Sequence, residues 1–140
     1  MAKGKYDKNI LTDLYWKSEE NPNTSVAGTR HAGDKWSGGF MSMDTVYVTH
    51  PHVMISQPHV HEFPQYLNFY SANPKDAHDF DAEVEITIEG EKHVIKQPSS
   101  VYIPAGTHHG PVVFAKINKP LLFIDLALSG DYSRVGNTPD

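Results

Sequence analysis

The stretch QPHVHEFPQYLNFY, residues 57–70, says the most about the fold of this chain. Alternate side chains of an extended segment share one face, and the odd positions from 53 to 69 are apolar except for two glutamines and two histidines. They are Val53, Ile55, Gln57, His59, His61, Phe63, Gln65, Leu67 and Phe69. Such a face is typical of a barrel interior that holds a polar site. Pro58 and Pro64 require a bend, because proline cannot donate to a strand ladder.

Two imidazoles project from this face, since His59 and His61 are two residues apart. A buried polar group that lacks a hydrogen bond costs about 1–3 kcal/mol, so both rings need partners. One interpretation is a shared divalent metal, for which neutral imidazole is a common ligand. The other is that both rings are exposed or hydrogen-bonded to neighbours, and the spacing alone does not decide between them.

Short β-rich segments separated by turn residues fill the chain around this stretch, with no helical periodicity between them. The segments are MDTVYVTH, HVMISQ, HVHEFPQYLNFY, AEVEITIEG, EKHVIK, SSVYIPAG, GPVVFAKI and PLLFIDLAL. This pattern predicts an all-β antiparallel sandwich or barrel. Glu83 and Glu85 alternate with apolar residues and predict a solvated sheet surface. We expect a hairpin turn at residues 89–92 and a loop at residues 71–81.

The first residues are polar and are interrupted by glycine, proline and asparagine, which predicts an N-terminal arm that is mostly loop. We therefore divide the chain into an N-terminal arm at 1–39, a barrel at 40–128 and a tail at 129–140. One short helical turn is expected near residues 10–16. We expect no signal peptide, because this end has no continuous apolar run.

A second segment, VYIPAGTHHGPV at residues 101–112, contains Pro104, Gly106 and His109 in the pattern PxGxxH. Together with the earlier HxH, it resembles the two motifs of the cupin superfamily. The resemblance covers about residues 40–128. It implies a double-stranded β-helix, also called a jelly roll or cupin barrel, with an N-terminal arm.

The resemblance also implies a mononuclear metal site formed by His59, His61 and His109, with Gln65 at the fourth ligand position. Cupins usually carry glutamate there, so this chain departs from the pattern. Three neutral imidazoles and an amide leave the charge of a divalent ion uncompensated, which favours a small anionic ligand or substrate. The ligand set suits Fe, Zn, Ni, Mn or Cu and does not choose among them.

Two functions stay open at this point. One is a metal-dependent enzyme of the oxygenase, decarboxylase, lyase or isomerase class. The other is a non-catalytic module that binds a metal or a small ligand, which the absence of an obvious inward-facing acid or base favours. A barrel without metal, in which the histidines are only hydrogen-bonded, is a third and weaker reading.

Composition excludes several classes of partner. The chain has 140 residues, a net charge of -5 and no cysteine, so disulfides and thiolate metal sites are absent and a cytoplasmic location is expected. Basic residues do not cluster, so nucleic acid is not expected as a partner, and no apolar run is long enough to span a membrane. By resemblance, the arm around Trp16 and Trp36 packs on a second subunit of a homodimer; alternatively it covers its own barrel.

The remaining conspicuous side chains receive structural roles. Strand alternation directs Glu62 and Tyr66 outward. His108 is expected at the surface or beside a ligand, and His50 and His52 at the barrel mouth or in solvent. Core or pocket-wall positions are expected for four residues: Phe63, Leu67, Phe69 and Tyr102.

Overall fold

The computed structural model describes residues 4–12, 15–16, 28–32 and 36–129. Within these residues a 3₁₀ helix, Asp7–Asn9, precedes ten strands. The strands are β1 (Tyr15–Trp16), β2 (Gly28–Ala32), β3 (Ser42–Val48), β4 (His52–Ile55), β5 (Gln65–Ser71), β6 (Ala82–Ile88), β7 (Glu91–Ile95), β8 (Ser99–Ile103), β9 (His109–Ile117) and β10 (Leu121–Ala127). Each predicted β-rich segment overlaps one of the strands β3 to β10. The helical turn was predicted too late in the chain, because the 3₁₀ helix lies before residue 10.

The strands form two antiparallel sheets. The larger sheet has the order β1-β2-β3-β10-β5-β8 and the smaller one the order β4-β9-β6-β7. Several neighbours in the sheets, such as β3 with β10 and β4 with β9, are far apart in the sequence, as in a jelly roll. The predicted all-β double-stranded β-helix is therefore confirmed. Strand β2 pairs with β3, so part of the predicted arm extends the larger sheet.

An apolar core fills the space between the sheets. Side chains that are fully or almost fully buried come from both sheets, and they are Val48, Leu67, Phe69, Val84, Ile86, Ile103, Val112, Phe114, Leu121 and Phe123. Burial of each such side chain contributes about 1.5–3 kcal/mol to the free energy of unfolding. Leu67 and Phe69 lie on the same face of β5 as Gln65, so the apolar core borders the predicted polar site.

Local sequence signals in the smaller sheet behave as predicted. Glu89 and Gly90 connect β6 to β7 with φ values of 47° and 78°, the backbone that a two-residue hairpin turn needs. The glutamates of β6 lie on its outer side, where Lys92 pairs with Glu85 at 3.0 Å. This confirms both the turn and the solvated face.

Three predicted inner positions are wrong, and the first of them is Gln57, which is exposed. Val53 is 52% exposed, because the pairing of β4 with β9 shifts register between Val53 and Ile55 and reverses the alternation there. Tyr102 is also 52% exposed, since it lies across from Tyr66 on the outer face of the larger sheet. Phe63, by contrast, is buried as expected.

Parts of the predicted arm and tail are not described. Residues 130–140 and the side chain of Trp16 lie outside the described part of the chain. Trp36 is described, and its indole Nε1 donates to the Lys8 carbonyl of the same chain at 3.1 Å. No helix among the described residues is long and apolar enough to cross a membrane.

Candidate metal centre

Backbone pairing brings the two histidine motifs together. His59 and His61 lie between β4 and β5, whereas His109 is the first residue of β9. His59 and His109 form an isolated β-bridge, in which each amide donates to the other's carbonyl, at 2.9 and 3.0 Å. The Gly106 amide donates to the His61 carbonyl at 2.8 Å. The PxGxxH turn therefore holds both ends of the HxH segment.

The three imidazole rings are buried and adjacent. Relative exposure is 2% for His59, 2% for His61 and 1% for His109. Ring centroids are separated by 4.8 Å between His59 and His61, 4.4 Å between His59 and His109 and 5.3 Å between His61 and His109. One ligand nitrogen from each ring lies within 4.8 Å of the others. The structure therefore brings together the three histidines that the resemblance implied as metal ligands.

This donor set fits a divalent transition metal. An ion that binds imidazole nitrogen at about 2.0–2.1 Å holds two such nitrogens at most about 4.2 Å apart. The three ligand nitrogens, which lie within 4.8 Å of one another, are close to that spacing. Neutral imidazole suits zinc, copper, iron and nickel in particular.

Neighbouring groups orient two of the rings. Nδ1 of His109 lies 3.0 Å from the Thr107 carbonyl, and because a carbonyl only accepts, Nδ1 carries the proton. The lone pair is then on Nε2, which is buried. This arrangement is common for histidines that bind metals. The ring of His61 stacks on Phe63 at a centroid distance of 4.8 Å and an angle of 17°, which limits its rotation.

Gln65 lies on the inner face at the start of β5 and is 1% exposed. Its Nε2 donates to Oδ1 of Asp125 at 2.6 Å. Asp125 is on β10, where it pairs with Leu67 of β5 and with Asp44 of β3. The structure therefore places a carboxylate beside the fourth predicted ligand.

Sequence reasoning missed Asp125, and it concluded that no obvious acid or base faces inward. A signal was present. In the segment LLFIDLA, the alternation that buries Leu121, Phe123 and Ala127 also directs Asp125 to the interior. A single carboxylate at an inward position of an apolar strand indicates a buried polar partner, because acidic side chains are rarely buried unless they are paired.

Among the described residues, His50, His52 and His108 do not belong to the group of three rings. His108 and His50 are exposed, which agrees with the surface positions expected for them. His52 is half-buried, packs on Phe114 at a ring distance of 5.0 Å and directs Nδ1 to the His50 carbonyl at 2.8 Å. Glu62 is exposed as predicted.

Several solved structures have a similar fold. Oxalate oxidase in complex with glycolate aligns with a TM-score of 0.58 and 18% identity, over 92% of this chain and 63% of its own. The chain therefore spans less than two thirds of that protein. The plu4264 protein from Photorhabdus luminescens aligns with a TM-score of 0.52 and 15% identity, over 86% of this chain and 88% of its own.

A third structure, KdgF from Halomonas sp., aligns with a TM-score of 0.50 and 16% identity, over 81% of this chain and 86% of its own. No protein-family model matches the sequence, and no curated protein matches it either. The two opposed antiparallel sheets and the similarity to these structures show that the chain has the fold of the cupin superfamily.

Proposed function

We propose that this protein is a metal-dependent enzyme that acts on a small anionic organic molecule. One divalent transition metal would be held by His59, His61 and His109, with Gln65 as the fourth ligand. The observation that carries the proposal is the convergence of three nearly fully buried imidazoles, whose ligand nitrogens lie within 4.8 Å of one another. A catalytic metal keeps a coordination position open for water or substrate, whereas the protein fills every position of a structural metal.

The chemistry of the donor set favours an anion. All four proposed ligands are neutral, so they leave the ion's charge available to the molecule that binds beside it. When bound, the metal would supply a Lewis acid. The imidazoles and the amide would fix its position, and the apolar walls formed by Phe63 and Leu67 would exclude water, which strengthens electrostatic attraction.

The first test is metal analysis of protein purified without a chelating resin. About one equivalent of a transition metal is expected in the wild type, and loss of that metal is expected in His59→Ala and in His109→Ala. His108→Ala is the matched control, because His108 is the neighbour of His109 in sequence but is exposed. Wild-type protein that stays without metal after incubation with Fe(II), Mn(II), Ni(II), Zn(II) and Cu(II) would refute the proposal.

Turnover separates an enzyme from a binding module, since both would contain the same metal. Oxalate and glycolate are suitable first probes, because both are small carboxylates with a second oxygen donor near the first. The similar solved structures include oxalate oxidase with bound glycolate. Metal-dependent consumption of a small anion that His109→Ala abolishes would support the enzyme. Metal-dependent binding without consumption across a panel of such anions would support the module.

A further inference from the structure

The contact between Gln65 and Asp125 joins two strands that are distant in the sequence. Nε2 of Gln65 donates to Oδ1 of Asp125 at 2.6 Å across a separation of 60 residues. Hydrogen bonds to a carboxylate are shorter and stronger than those between neutral groups. Gln65 is 1% exposed, so little water competes for this contact.

The contact determines which end of the amide faces which way. A carboxylate only accepts hydrogen bonds, whereas an amide has a donating nitrogen and an accepting oxygen. Rotating the amide by 180° would place Oε1 against the carboxylate, and the two acceptors would repel each other. Asp125 therefore directs Nε2 towards β10 and turns the buried Oε1 away from it.

We propose that Asp125 is a positioning residue, which holds the Gln65 amide so that Oε1 is its metal-binding atom. The inference rests on the proposed function. An amide nitrogen that carries two hydrogens is not a metal ligand, so the site needs the oxygen to face the ion. Second-sphere partners of this kind orient ligands in metal sites and change metal affinity when they are lost.

The same contact explains why position 65 holds glutamine rather than glutamate. A glutamate in this position would put two carboxylates in contact, with no hydrogen for either to accept and with like charges in a partly buried place. An exchange of the two groups removes the conflict. Gln65→Glu together with Asp125→Asn keeps one carboxylate and one amide in contact, and it keeps the charge of the pair.

Four variants test the inference: Asp125→Asn, Gln65→Glu, the double variant Gln65→Glu/Asp125→Asn, and the control Glu62→Gln. Glu62 is next to His61 in the sequence but is exposed, so its variant removes a nearby charge without changing the Gln65 contact. The measurements are the Zn(II) dissociation constant by competition with a chelator, the visible spectrum of the Co(II)-loaded protein, and the melting temperature of the metal-free protein.

Asp125→Asn is expected to weaken Zn(II) binding about 10–100-fold, because asparagine accepts either orientation of the amide. Glu62→Gln is expected to stay within about twofold of wild type. Metal-free Gln65→Glu is expected to melt below wild type and the double variant to recover most of the difference. The Co(II) spectrum of the double variant is expected to shift, since a carboxylate replaces an amide at the metal.

Three results would overturn the inference while leaving the proposed function intact. They are wild-type affinity in Asp125→Asn, a double variant that melts no higher than Gln65→Glu, and a Co(II) spectrum that the double variant leaves unchanged. If Asp125→Asn does not fold, the double variant decides the matter alone. A wild-type protein that binds no metal would overturn both proposals, because there would be no ion towards which to position Gln65.

Discussion

Gly110 offers a sharp test of how the two histidine motifs are held together. It follows His109 and has a φ of +113°, in the region that side chains rarely adopt. A Cβ at this position would lie 2.8 Å from the Gln57 carbonyl oxygen and 3.2 Å from Cα of Pro58. Both atoms belong to backbone that cannot move independently, so Gly110→Ala would push the HxH segment away from β9.

The expected loss of stability has two parts. Positive φ in a residue with a side chain costs about 1–2 kcal/mol. Weakening the two backbone hydrogen bonds between His59 and His109 costs about 0.5–1.5 kcal/mol each. Gly110→Ala should therefore lower the free energy of unfolding by about 2–5 kcal/mol in total. Zn(II) binding should weaken as well, because the bridge that holds two of the three proposed ligands is displaced.

Gly90→Ala is the matched control for this variant. Gly90 also has a positive φ, of +78°, but no atom lies within 4 Å of the position of its added Cβ. Gly90→Ala is therefore expected to lower the free energy of unfolding only by the cost of a positive φ. Its Zn(II) affinity is expected to equal that of the wild type. Urea unfolding and chelator competition measure the two effects in both variants. Equal losses of stability in Gly110→Ala and Gly90→Ala, with equal Zn(II) affinity, would refute the reasoning.

Three further variants test the core, the outer face and one surface ion pair. Phe114→Ala is expected to lower the free energy of unfolding by about 3–5 kcal/mol in urea titrations, because its ring is fully buried, whereas Tyr102→Ala on the exposed outer face should cost much less. Hydrogen bonds from Lys119 and then Asn73 hold the pKa of Asp79 below its ordinary value. This carboxylate therefore stabilises the fold above its unfolded-state pKa, and the contribution is lost as pH falls through its folded-state pKa. Asp79→Asn should be less stable than wild type at neutral pH and equal to it in stronger acid, as thermal melts across pH would show; a difference that persists in acid would contradict this.

Most of the fold and three of the four proposed ligands could be predicted from local alternation alone, whereas the fourth ligand needed a different signal. Alternation with a period of two places His59, His61 and Gln65 on one face, and this spacing survives the bend at Pro64. His109 was found through the PxGxxH pattern rather than through geometry. Val53 was placed wrongly because a register shift depends on the partner strand, which one segment does not reveal.

Asp125 illustrates the harder part of the problem. Its parity with the buried Leu121, Phe123 and Ala127 indicates that it faces inward, but its contact with Gln65 depends on the register between β5 and β10. That register follows from the packing of the whole sheet, and it joins residues that are 60 positions apart. Sequence reasoning could therefore find an inward carboxylate, but it could not find the residue that the carboxylate contacts.

The Gln65–Asp125 pair also revises the charge expected at the proposed metal. From the sequence, four neutral ligands left the charge of the ion uncompensated. In the structure a carboxylate contacts the far end of one ligand amide, so part of that charge is balanced from a greater distance. Coulomb attraction falls with distance, and the ion would keep more of its pull on an incoming anion than it would beside a directly bound glutamate. The amide oxygen of Gln65 would then bind the metal, and Asp125 would compensate part of the charge of the metal. A single glutamate at position 65 would combine these two roles.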